Sequence, residues 1–147
     1  MHNIETIDKL LRDELAAKET YQQVLDKFRE EASLSGADYL MPIYEDHKEA
    51  ASTLQEQAVQ MGGKPTEDSG IWGTWSEIVQ GGANMFGQKA ALKALQQGEK
   101  TGANDYEEAL QDPDLPSEVR SLIETKLLPA QQSHIRTLDR LYDTASA

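Results

Sequence analysis

Two glutamates and two histidines stand on helical stripes where a dry core would take apolar side chains: Glu14, His47, Glu99 and His134. Together they form the donor set of a divalent-metal site, in which carboxylate oxygens bridge ions and imidazole nitrogens complete the coordination. Helical bundles that hold two metals take a Glu from each of two helices and a Glu-x-x-His from each of the other two, all projecting inward. The order Glu, His, Glu, His matches that scheme. Tyr44 and Gln131, however, stand three residues before His47 and His134, so the Glu of each Glu-x-x-His is missing. Tyr21 follows Glu14 by seven residues and Tyr106 follows Glu99 by seven, which places each pair on one helical face and hints at a duplicated hairpin.

Each of these residues also has a packing role open to it. Glu14 lies one turn from Lys18 and reads equally as an ion pair at the edge of its stripe. Glu99 has no lysine three or four residues on and is flanked by Gly98 and Gly102. His47 and His134 fit hydrogen-bonded core histidines, and the hydroxyls of Tyr21 and Tyr106 fit partners for a buried carboxylate. Trp72 and Trp75 either anchor a long connection over the bundle or line a small-ligand site, with Tyr21 and Tyr106 as further candidates to contact a ligand. Acidic groups such as Glu45, Asp46 and Glu49 read as a solvated face that also attracts cations.

The elements that must position these groups are long helices. Prolines occur only at 42, 65, 113, 116 and 129. Ile7, Leu11, Glu14, Lys18, Tyr21, Leu25 and Phe28 alternate steps of four and three and predict a helix over about 4–32. Ser35-Gly36-Ala37-Asp38 reads as a stop and an N-cap, with a second helix over about 39–61 that has Pro42 in its first turn and ends at Gly62-Gly63-Lys64-Pro65. A third helix is predicted over about 86–111 and a fourth over about 117–143, kinked at Pro129. No stretch alternates with period two, so the class is all-α. The links near 33–38 and 112–116 make two antiparallel hairpins, and the 24 or so residues between them suit a crossover carrying a short helix, with helices two and three parallel.

Register arithmetic then pairs the polar groups. A turn near 114 sets Glu99 level with about 129, within a turn of Gln131 and His134. A turn near 35 separates Glu14 from His47 by about 13 Å along the axis and makes Tyr21 the neighbour of His47.

Composition excludes several functions. At 147 residues the chain suits one domain, and 14 Lys plus Arg against 26 Asp plus Glu leave a net charge of −12, unfit for nucleic acid or anionic membranes. Cysteine is absent, so disulfides, thiolate nucleophiles and Cys-ligated metals are excluded. The opening MHNIETIDKLLRDE has no apolar stretch of signal-peptide length and no run approaches a membrane span, which predicts a cytoplasmic protein. GGANMFG lacks the Lys-Ser/Thr of a phosphate-binding loop.

YEDHKEAASTLQEQAVQMGGKP, QQGEKTGANDYEEAL and QQSHIRTLDRL resemble segments of an uncharacterised bacterial family of ferritin-like four-helix bundles classed as a domain of unknown function. The resemblance covers about residues 4–143 and implies a ferritin-like fold. The leading expectation is a non-catalytic bundle with a structural, binding or stress-associated role, with room for a homodimer or protein partner. The alternatives are binding or oxidation of iron or another divalent metal at Glu99 and His134 with Glu14 or His47, and small-ligand binding beside Trp72 and Trp75.

Overall fold

A computed structural model describes residues 4–30, 34–64 and 88–144. Four helical rods account for nearly all of them, with no strand among the described residues. They are α1 (Ile4–Glu30), α2 (Leu34–Gln60), α3 (Gln88–Ala109) and α4, which joins Ser117–Leu122, a π-helical turn Ile123–Leu127 and Leu128–Thr144. Among the described residues no helix is long and apolar enough to cross a membrane. The predicted crossover helix, with Trp72 and Trp75, lies outside the described residues.

Cross-helix contacts fix the directions. Thr6 Oγ1 donates to Asp112 and Lys9 pairs with Asp105, so α1 and α3 run antiparallel. Gln96 donates to Asp139 and Gln131 to the Glu99 carbonyl, which sets α3 against α4 in the same sense. With only residues 31–33 between them, α1 and α2 must also be antiparallel, so α2 and α3 point the same way.

Helix α2 begins earlier than the sequence predicts. Ser35, Gly36 and Asp38 are helical, not a stop and cap, and Pro42 lies inside the helix instead of in its first turn. Burial of Ala37 and Leu40 supplies the reason: extending the helix adds apolar contact that outweighs the roughly 1 kcal/mol disadvantage of a helical glycine. The far end of α2 follows prediction. Gly62 adopts φ 82°, its N–H donates to the Val59 carbonyl and that of Gly63 to the Ala58 carbonyl, which satisfies two terminal carbonyls of the helix.

Pro129 is accommodated by the π turn that precedes it, where the Leu128 N–H reaches back to the Ile123 carbonyl. The wide turn also keeps a stripe in phase. Val119, Ile123, Leu127 and Gln131 are all buried although three steps of four drift by about 120° in a regular helix; one extra residue in the π turn takes back about 100°. Ala130 is therefore only half-buried, and Gln131 takes the inward position.

The apolar interior is divided. One cluster gathers around Leu11, Leu54, Val119 and Ile123, and another around Phe28, Leu40, Leu92 and Leu138. Between them lies a layer of buried polar side chains.

Candidate metal centre

Glu14, His47, Glu99, Gln131 and His134 form that layer, none more than 5% exposed. Each helix contributes to it, because each long apolar stripe is interrupted at the same height in the bundle.

Glu99 is the hub. Its Oε2 accepts from the Tyr21 hydroxyl at 2.7 Å and faces His47 Nε2 at 2.6 Å, while Oε1 faces His134 Nδ1 at 3.3 Å. Glu14 mirrors it in part, accepting from His47 Nδ1 and from the Tyr106 hydroxyl. Each tyrosine of the seven-residue repeat thus donates to the glutamate of the opposite hairpin. This reciprocity extends along the helices at a constant offset: Ile7, Leu10, Glu14, Ala17, Tyr21 and Leu25 correspond to Leu92, Leu95, Glu99, Gly102, Tyr106 and Leu110. The Tyr21 ring also stacks on His47, with centroids 5.3 Å apart.

Electrostatics follow from burial. Both nitrogens of His47 face carboxylates, the arrangement of a fully protonated imidazolium. Desolvation favours its neutral form, yet Glu99 and Glu14 outweigh that and hold its pKa well above the ordinary histidine value. Burial likewise works against the Glu99 carboxylate, but His47 and His134 bring its pKa down to about 2. The hydroxyls of Tyr21 and Tyr106 are held neutral, first by burial and then by the charge of the glutamate each one bonds.

The layer corrects one pairing and extends another. Glu14 and His47 are hydrogen-bonded, not 13 Å apart, because α1 ends at Glu30 and α2 begins at Leu34, which puts the centre of the helix pair at position 32 in sequence instead of 35. A three-residue shift in the centre moves the relative register by six residues, which brings the two side chains within reach. Glu14 is consequently bound by His47 and Tyr106 in the interior and does not sit at the edge of its stripe. Glu99 lies beside Gln131 and His134, with Tyr21 beside His47, as register arithmetic places them.

Sequence spacing does not assign Asp46 to the layer, and it places Gln131 near Glu99 without its contacts. Asp46 belongs to the acidic face of α2 and its side chain is 52% exposed, yet its Oδ2 accepts from His134 Nε2 at 2.8 Å. Its position immediately before His47 was the available signal. Gln131 fills the space left by Gly102, where a Cβ would come 2.4 Å from the Gln131 amide nitrogen. The amide donates to the Glu99 main-chain carbonyl at 3.2 Å and so ties α4 to the hub residue.

His47, Glu99 and His134 each present a ligand atom, and the three atoms lie within 4.8 Å of one another. Ligand atoms bound at about 2.0–2.2 Å to one ion lie at most about 4.4 Å apart, so the three side chains must draw together to enclose one. A cleft of about 70 Å³ between α2 and α4 reaches Glu14, His47 and His134 from outside.

The chain matches the family described as "Domain of unknown function (DUF2383)" over residues 2–112 and belongs to it. The match spans α1 to α3, including Glu14, Tyr21, His47, Glu99 and Tyr106, and stops before Gln131 and His134. No curated protein matches the chain.

Proposed function

We propose that this member of the DUF2383 family is a ferritin-like helical bundle that binds a divalent transition-metal ion in its central polar layer. The carrying observation is the convergence of His47, Glu99 and His134, buried on three helices with their ligand atoms within 4.8 Å. Imidazole and carboxylate together suit zinc, iron or manganese and disfavour calcium, which takes oxygen ligands throughout.

The side chains fit such an ion in protonation and support. His47 Nε2, Glu99 and His134 Nδ1 are the ligands, with Glu14 alongside as a further carboxylate. As a ligand, His47 Nε2 gives up its proton, while Nδ1–H stays on Glu14 and fixes the ring. His134 is oriented the same way by Asp46 on Nε2. Tyr21 and Tyr106 neutralise part of the carboxylate charge by donating hydrogen bonds, and the two apolar clusters exclude bulk water.

The reading is of binding and not oxidation, since Tyr44 and Gln131 occupy the places of two bridging glutamates. The test is elemental analysis after loading with Fe(II), Mn(II) or Zn(II) and desalting, alongside Glu99→Ala and His134→Ala proteins whose helicity is verified by circular dichroism. About one equivalent in the parent, lost in both variants, supports the reading. Metal far below stoichiometry under every condition leaves the layer as a hydrogen-bonded polar core, a role its internal pairings also satisfy.

A further inference from the structure

Buried ligands need a route to solvent, and the cavities beside the layer differ sharply in what they offer. The one on the α1 and α3 side holds about 10 Å³, room for about a single water, and is lined by Asp13, Gly102 and Tyr106 among others. The cleft between α2 and α4 holds about 70 Å³ and runs from the buried His47 and His134 to the half-exposed Asp46. Its lining includes the small side chains of Ala50 on α2 and Ala130 on α4. At its mouth Lys126 Nζ spans to Glu49 Oε1 at 3.1 Å, an ion pair in which both side chains are more than half exposed.

We propose that this cleft is the port through which a divalent cation reaches the layer, that Asp46 is its transfer ligand, and that the Lys126–Glu49 pair is its gate. The proposal rests on the metal-binding reading above. Asp46 is the group that belongs to both environments: one carboxylate oxygen holds His134 Nε2, while the side chain remains half in water. A cation leaving water at the mouth therefore meets a carboxylate already connected to the inner ligands. Lys126 opposes that step in two ways, by its positive charge on the path and by occupying Glu49. An exposed ion pair of this kind is weak and opens readily. The π turn places Lys126 at the mouth, since it is the penultimate residue of that turn.

The experiment is stopped-flow uptake of Co(II), followed by its visible absorption, with equilibrium stoichiometry measured on the same samples. Lys126→Met removes the charge and keeps an unbranched chain, and is expected to speed both uptake and release by about threefold or more. Asp46→Asn is expected to slow uptake, and Ala130→Trp, which fills the cleft, to lose the fast phase. Lys93→Met, an exposed charge change on α3, controls for net charge and is expected to leave the rate near that of the parent. Circular dichroism verifies that each variant is folded. Stoichiometric Co(II) at rates indifferent to Lys126, Asp46 and Ala130 overturns the port and leaves the metal site standing. Equal acceleration by Lys93→Met and Lys126→Met also overturns the gate, because net charge then accounts for the effect. No Co(II) in the parent overturns both readings together.

Discussion

Replacing Gly102 by alanine sets two effects of known sign against each other. In the middle of α3, alanine is favoured over glycine by about 0.8–1 kcal/mol, because glycine loses more backbone freedom on folding. Against this, the new methyl carbon would lie 2.4 Å from the Gln131 amide nitrogen and 3.2 Å from its Cδ. The amide must retreat by about 1 Å to reach ordinary van der Waals contact, which stretches its 3.2 Å hydrogen bond to the Glu99 carbonyl beyond useful range. A buried amide left without its partner costs about 1–3 kcal/mol. The net expectation is a loss of up to about 2 kcal/mol in place of the usual gain. The background of Gln131→Ala separates the two effects. There the amide is gone, and Gly102→Ala should stabilise by close to the full helix-propensity difference. Urea denaturation of all four proteins, with chelator present throughout, gives the coupling energy directly, expected at about 1–3 kcal/mol. A coupling near zero, with Gly102→Ala stabilising in both backgrounds, would refute the claim that Gly102 exists to seat Gln131.

Other outcomes follow from the same layer. Tyr106→Phe should destabilise by about 1.5–3 kcal/mol, and Tyr21→Phe by less, since Glu14 is then left with only His47 while Glu99 keeps both histidines; equal effects in denaturant titrations would contradict the hydrogen-bond assignment. Asp13 is half-buried, with its Oδ2 shielded from solvent and without a hydrogen-bond partner, and its pKa is pushed up to about 9, first by desolvation and then by Asp105 and Glu14. The folded protein therefore holds a proton that the unfolded chain releases above about pH 4, so this position costs stability progressively as pH rises from about 4 toward 9. Asp13→Asn should raise the melting temperature at pH 7–8 and leave it nearly unchanged at pH 4, and a pH-independent effect would show that the carboxyl is not held protonated. Zn(II) at a hundredfold excess over its Kd should stabilise the parent by about 2.7 kcal/mol. The absence of that increment in Glu99→Ala, measured by calorimetry, ties it to the layer.

Much of the bundle was legible because stripes of period 3.6 are long here and breakers are few. Helices α1, α3 and α4 lie within a few residues of their predicted bounds, and Gly62-Gly63 ends α2 through the backbone geometry its sequence implies. The start of α2 was hidden because Ser35-Gly36-Ala37-Asp38 has the local chemistry of a cap, while the contacts of Ala37 and Leu40 that override it come from other parts of the chain. That single misplacement propagated into the register and separated Glu14 from His47. The four seam residues were visible as polar interruptions of apolar stripes. Asp46 was not, since a half-exposed aspartate in an acidic run carries no periodic signal, and only the α2–α4 contact reveals its second role. Gln131 was visible as a departure from Glu-x-x-His, but its match to Gly102 is a property of two helices in contact.

The most direct measurement is anomalous diffraction at the zinc absorption edge from crystals grown with Zn(II). The account predicts one strong peak inside the bundle, within about 2.2 Å of ligand atoms from His47, Glu99 and His134. Zinc only on surface carboxylates, with Glu99 still hydrogen-bonded to Tyr21 and both histidines, would contradict it.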